Sequence, residues 1–229
     1  MPSDKDAGLA AGRAAPPLEP NEGSATPASE ASYRRRPVPA MLAPMSGKVL
    51  IVTGDGGDSY EALFAYHRFL EANWEPVLAA PSRRRLHMVF HDTEPGWETY
   101  VERVGHCVEA DVAITAVAAK EFAAIIILGG RAPEYLRNNA SLLSLVREFA
   151  AQDKLICAIG HGIQVLTAAG MTKGRTVTCH EHVRIEVERS GGIYSSQPAV
   201  RDGKLITAQT WKCHPEFYRE VFACLEEPA

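Results

Sequence analysis

A chain of 229 residues that is 46% hydrophobic can bury one sizeable core. Its net charge of −4 offers no electrostatic case for binding nucleic acid or an acidic membrane. No apolar run reaches the length of a membrane span, no secretory signal opens the chain, and five unevenly spaced cysteines do not make a disulfide framework. A reducing cytoplasm is the expected setting.

Residues 1–45 hold eight of the fifteen prolines, and Ala, Ser, Gly and Glu fill most of the rest. Such a stretch buries too little apolar surface to offset its ordering entropy, so a disordered tail is expected. Arg34-Arg35-Arg36 reads as a solvated charge run, and Met41 and Met45 are alternative starts. The folded domain should run over 46–229. Val49 to Thr53 reads as a strand buried on both faces. Gly54-Asp55-Gly56-Gly57 is a loop without the lysine or spacing of a phosphate cradle. Asp58 or Ser59 caps a helix that runs to about Ala72. Pro76 to Ala80 is a second strand. Leu86 to Phe90 and Val108 to Val112 form an antiparallel excursion, and Thr115 to Glu121 a short helix. Ala124 to Leu128 is a buried strand that ends at Gly129-Gly130. Ser141 to Gln152 is a helix with Leu142, Leu145, Val146 and Phe149 on one face.

The apolar run Lys154 to Ile159 then breaks at Gly160-His161-Gly162, and a helical pattern runs from Ile163 to Gly170. Strand, sharp corner and helix make a nucleophile elbow, where the central side chain stands above the sheet edge at a helix N-terminus. Here that residue is Gly160, which has no side chain. Asp202-Gly203 marks a hairpin, and Pro215 to Leu225 a last helix. Alternating strands and helices predict an α/β fold, doubly wound around a mainly parallel sheet with helices on both faces. Ligands in such sheets bind beyond the carboxyl ends of the strands, where Gly54, Gly129 and Gly160 all fall.

From about Lys48 to Leu225 the sequence resembles the ThiJ/PfpI superfamily, of flavodoxin-like, class I glutamine amidotransferase-like fold. It looks most like the plant glyoxalase III-like branch. The resemblance is carried by Lys48-Val-Leu-Ile-Val-Thr-Gly-Asp55, Tyr60-Glu61, Gly129-Gly-Arg-Ala-Pro-Glu-Tyr-Leu136, Ala158 to Gly162 with Gln164, Ala169-Gly170 with Gly174-Arg175, and Trp211 with His214-Pro-Glu-Phe217. It implies that Glu61 is the carboxylic acid above the elbow, and that the family's nucleophilic cysteine falls at Gly160. His161 matches a histidine that pairs with a glutamate of a neighbouring subunit, and Glu134 matches that glutamate, so a homodimer or higher homo-oligomer is implied. It places Gly54, Asp55, Gly129, Gly130, Arg131, Glu134, Gly160, Cys179, Trp211 and His214 around the pocket. His180-Glu181-His182 departs from the plant branch, although other members carry a pocket histidine at the first position.

Each of these residues has a plainer reading. Glu61 can be a solvated helix-start glutamate, His161 a residue that shapes the corner, and the glycines tight turns that also offer N–H donors to an oxyanion. His180 and His182 could hold a metal only with a third ligand, for which His87 and His91 are distant candidates, so no metal is expected. Cys157, Cys107 and Cys224 read as packing residues, whereas Cys179 or Cys213 could stand in for the missing thiol. The reading that follows is a cofactor-independent acid–base enzyme of the lyase, hydratase or isomerase class. Glu61, His161 and His180 would work on a small carbonyl-containing metabolite, and cysteine-dependent turnover would be weak or absent. The alternative is an inactive relative that binds a ligand or partner.

Overall fold

The computed structural model describes residues 46–227; the tail expected over 1–45 lies outside them. The chain opens with β1 (Lys48–Val52), α1 (Ser59–Glu71) and β2 (Glu75–Ala80). Four short strands follow: β3 (Arg85–Leu86), β4 (Val89–Asp92), β5 (Val101–Val104) and β6 (Val108–Glu109). Next come β7 (Val112–Ala113), β8 (Ala124–Ile127), α2 (Ala132–Leu136), α3 (Ala140–Ala151), β9 (Leu155–Ile159) and α4 (Ile163–Ala169). The chain closes with β10 (Thr176–Val177), α5 (Arg184–Arg189), β11 (Ile193–Tyr194), β12 (Ala199–Asp202), β13 (Leu205–Ala208) and α6 (His214–Glu226).

The main sheet has the order β12-β13-β9-β8-β1-β2-β7, with every neighbour parallel except the β12–β13 hairpin. Strand pleating sends alternate side chains to opposite faces. Leu50, Val52, Ile125 and Ile127 therefore pack on one side with Leu142, Val146 and Phe149 of α3 and Val165 and Leu166 of α4. Val49, Ile51, Ile126 and Cys157 pack on the other with Ala62, Ala65 and Phe69 of α1 and Phe217 and Val221 of α6. Helices on both faces explain why these strands read as unbroken apolar runs.

The excursion differs from expectation. Leu86 does pair with Val108 in an antiparallel β3–β6 pair, but β4 pairs with β5 in a separate ribbon over Val89–Asp92 and Val101–Val104. Val112-Ala113 leaves the excursion altogether and adds to the sheet edge beside β2. The expected helix over 115–121 is two single 3₁₀ turns, because both turns end on extended residues, Val117 and Phe122. Helices α2 and α5 are too short for helical periodicity to reveal.

Candidate active site

The chain runs outward from β1 through β2 to β7, then returns to the other side of β1 as β8 and β9. The crevice between β1 and β8 is thus the switch point at which doubly wound sheets bind ligands. The loops leaving the carboxyl ends of β1, β8 and β9 meet there. Asp58 caps α1, its Oδ1 accepting from the N–H groups of Tyr60 (2.8 Å) and Glu61 (3.0 Å). The first turn then carries Glu61 back over the crevice, where Glu61 Oε2 accepts the Gly129 N–H at 2.7 Å.

Glu61 is only 3% exposed. Burial, and secondarily the Asp58 charge, push its pKa up to about 8 against the opposing Gly129 hydrogen bond. The group therefore carries its proton at neutral pH. Because Oε2 accepts, the proton belongs on Oε1. At rest Glu61 is therefore poised to give a proton rather than to take one. Gly160 turns the corner after β9 with φ +55°, the left-handed region. A Cβ there would lie 3.5 Å from the Gln209 carbonyl and 4.0 Å from Glu61 Oε1, in ordinary contact. The corner thus has elbow geometry and room for a side chain it does not carry.

Above the corner lies a cavity of about 340 Å³. Asp58, Glu61, Gly130, Gly160, His161 and His180 line it, together with His91 of β4, Tyr100 of the ribbon loop, His182, Gln209 and Trp211. Four imidazoles converge on it: the His161 and His180 rings lie 5.1 Å apart and those of His180 and His182 4.6 Å. Tyr100 sits edge-on to His91, His161 and His180 at 4.6, 6.0 and 5.7 Å. Burial, then the neighbouring His180, His91 and His182, depress the His161 pKa to about 4. His180 is lowered as well, first by burial and then by His182. Both rings are neutral at pH 7. Among the described residues no group of three or more His, Cys, Asp or Glu side chains is placed to hold a metal ion.

Several expected binding residues stand elsewhere. Gly54 lies under the Tyr135 hydroxyl, and Asp55 pairs with Arg84 (2.6 Å) and accepts the His87 N–H (2.8 Å), bracing the loop. Arg131 is held by Glu102 at the surface, and Glu134 is exposed on α2. Cys179 is fully buried, and burial first of all pushes its thiol up to about 12, so it offers no nucleophile at the cavity wall. His214 is buried behind the wall, stacked on Phe64 at 4.4 Å and Tyr60 at 5.4 Å. Sequence reasoning missed Tyr100 and the cavity role of Asp58, and treated His91 only as a remote metal candidate. A histidine at the buried position of β4, His91, was the available signal.

The match to the family model described as the DJ-1/PfpI family covers residues 47–224. The chain is 32% identical over 185 residues to Protein DJ-1 homolog D of Arabidopsis thaliana, which covers 78% of this chain but only 47% of that relative. It thus spans about half that relative's length. It is 29% identical over 162 residues to a deglycase of Thermococcus kodakarensis, covering 71% of this chain and 89% of that one. In fold it matches a ThiJ/PfpI domain protein from Brachyspira murdochii with a TM-score of 0.71 at 18% identity, over 82% of this chain and all of the other. Because the family match runs over residues 47–224, most of its length, the chain belongs to the DJ-1/PfpI family.

Proposed function

We propose that this protein is a cofactor-independent acid–base enzyme of the lyase, hydratase or isomerase class, acting on a small carbonyl-containing metabolite without a thiol intermediate. The observation that carries this reading is Glu61: a buried, proton-bearing carboxyl whose free oxygen faces an open polar cavity above Gly160. A carbonyl oxygen placed there can take the Oε1 proton, while the neutral rings of His161 and His180 donate to or accept from its hydroxyl neighbours. The backbone at Gly129 holds Glu61 in place.

The deglycase name of one relative supports a carbonyl substrate but not the same chemistry, since the resemblance puts the family's thiol at Gly160. That absence is also what favours the second reading, a catalytically inactive ligand-binding member. A homodimer in a cytoplasmic setting belongs to the same proposal. The test is ¹H NMR turnover of a panel of uncharged hydroxy-aldehydes, hydroxy-ketones and dicarbonyls by the wild type and Glu61→Gln. Turnover lost in Glu61→Gln supports the enzyme. Binding without turnover of any compound supports the inactive reading.

A further inference from the structure

The acid–base reading leaves one role unfilled. Glu61 holds its proton at neutral pH, and burial makes His161 and His180 weak bases. A reaction that removes a proton from carbon needs an acceptor.

The β4 side of the cavity holds a buried pair that can serve. Asp58 Oδ2 lies 2.6 Å from His91 Nδ1, and both side chains are more than nine-tenths buried. Asp58 Oδ1 is already occupied by the N–H groups of Tyr60 and Glu61, so both carboxylate oxygens accept. Nδ1 must then carry a hydrogen, and in the neutral ring the lone pair lies on Nε2. Nε2 is buried and makes no hydrogen bond. Its nearest charged neighbour is Glu102 Oε1 at 3.6 Å, a carboxylate itself held by Arg131. Asp58, His91, Glu61 and Gly160 all line the same cavity. A clip that merely fastened the ribbon to α1 would need Nδ1 alone. An idle buried acceptor is unfavourable, and a ligand that uses Nε2 relieves it.

We infer that His91, oriented by Asp58, is the proton acceptor of this pocket and works with Glu61 to enolise a small uncharged hydroxy-aldehyde or hydroxy-ketone. The inference rests on the acid–base reading above. In the forward step the proton on the hydroxyl-bearing carbon passes to His91 Nε2, and its C–H electron pair becomes the C=C of an enediol. The carbonyl oxygen takes the Glu61 Oε1 proton, leaving an imidazolium beside Asp58 and a Glu61 carboxylate. In the return step the imidazolium proton goes to the neighbouring carbon and Glu61 recovers a proton from the other hydroxyl. The carbonyl has moved one carbon with no external oxidant or reductant. His91 and Glu61 are the catalytic residues and Asp58 a positioning residue.

The test uses the wild type, Asp58→Asn, His91→Gln and Glu61→Gln. The probe is dihydroxyacetone in D₂O, followed by ¹H NMR for deuterium entry at carbon and for glyceraldehyde. The His91 tautomer is read by ¹⁵N NMR. Asn caps helices as well as Asp, so Asp58→Asn should melt within a few degrees of wild type. Its amide would donate to Nδ1 and force the hydrogen onto Nε2, blocking the base. We expect an Nδ1–H tautomer in the wild type, an Nε2–H tautomer in Asp58→Asn, and exchange cut by about 10²–10⁴-fold in Asp58→Asn and His91→Gln. Wild-type exchange rates in either variant, with loss only in Glu61→Gln, would overturn the role of His91 and leave the acid–base reading standing. An Nε2–H tautomer in the wild type would overturn it too. No wild-type exchange above buffer would overturn the substrate class, while the metabolite panel still judges the broader reading.

Discussion

At the scale of single residues, Glu61 has the largest expected effect. Its folded pKa of about 8 lies above the ordinary 4.5. Between those values the folded state keeps a proton that the unfolded state has released, so this residue's contribution to stability falls as pH rises from about 4.5 to about 8. Glu61→Gln keeps an acceptor for the Gly129 N–H and cannot ionise. It should cut turnover by about 10²–10⁴-fold and flatten the loss of stability between pH 6 and about 8, read by assay and by thermal melts at pH 6 and pH 8.5. A variant with full activity would remove Glu61 from the mechanism. Gly160 sets the second expectation. Methylglyoxal conversion to lactate should be negligible in the wild type, and Gly160→Cys should raise it, since a Cβ fits 4.0 Å from Glu61 Oε1. A side chain at φ +55° costs about 1–2 kcal/mol, so the variant should melt several degrees lower.

At the scale of elements, the contact between α1 and α6 carries a pH signature. His214 opens α6, stacks on Phe64 and Tyr60 of α1, and has neither ring nitrogen hydrogen-bonded. Burial lowers its pKa to about 4, partly opposed by Asp58. Below the ordinary 6.5 the unfolded state gains a proton that the folded state refuses, so stability is lost as pH falls from 6.5 towards 4. The slope is on the order of 1 kcal/mol per pH unit. His214→Phe should narrow the gap between melting temperatures at pH 7.5 and pH 5; an unchanged gap would put the acid sensitivity elsewhere, His161 first. The start of α1 makes a separate claim. Asp58→Ala removes both cap hydrogen bonds and strands the buried His91 Nδ1–H. It should cost roughly 2–4 kcal/mol in denaturant melts, well beyond the effect of Asp58→Asn.

At the scale of the whole molecule, the homodimer is a proposal in which Glu134, exposed on α2, would reach the partner. Light scattering that gives a monomer at micromolar concentration would remove Glu134 from the site. The sequence by itself determined the layered fold. Short Val- and Ile-rich runs bounded by glycine corners read as strands covered on both faces, and in a doubly wound sheet such corners gather at one edge. It also determined the elbow at Gly160 and, through the Tyr60-Glu61 match, the acid above it. It could not place the ribbon, because β4 and β5 are four residues each and half exposed, with no continuous apolar signal. The tertiary structure alone put Tyr100 and His91 on the cavity wall and buried Cys179 and His214 away from it. It alone decided that Glu61 rests protonated, since desolvation comes from the packing of neighbours distant in the chain. Its bond to Gly129 spans 68 residues, and that from Asp58 to His91 spans 33, separations over which local pattern carries no information.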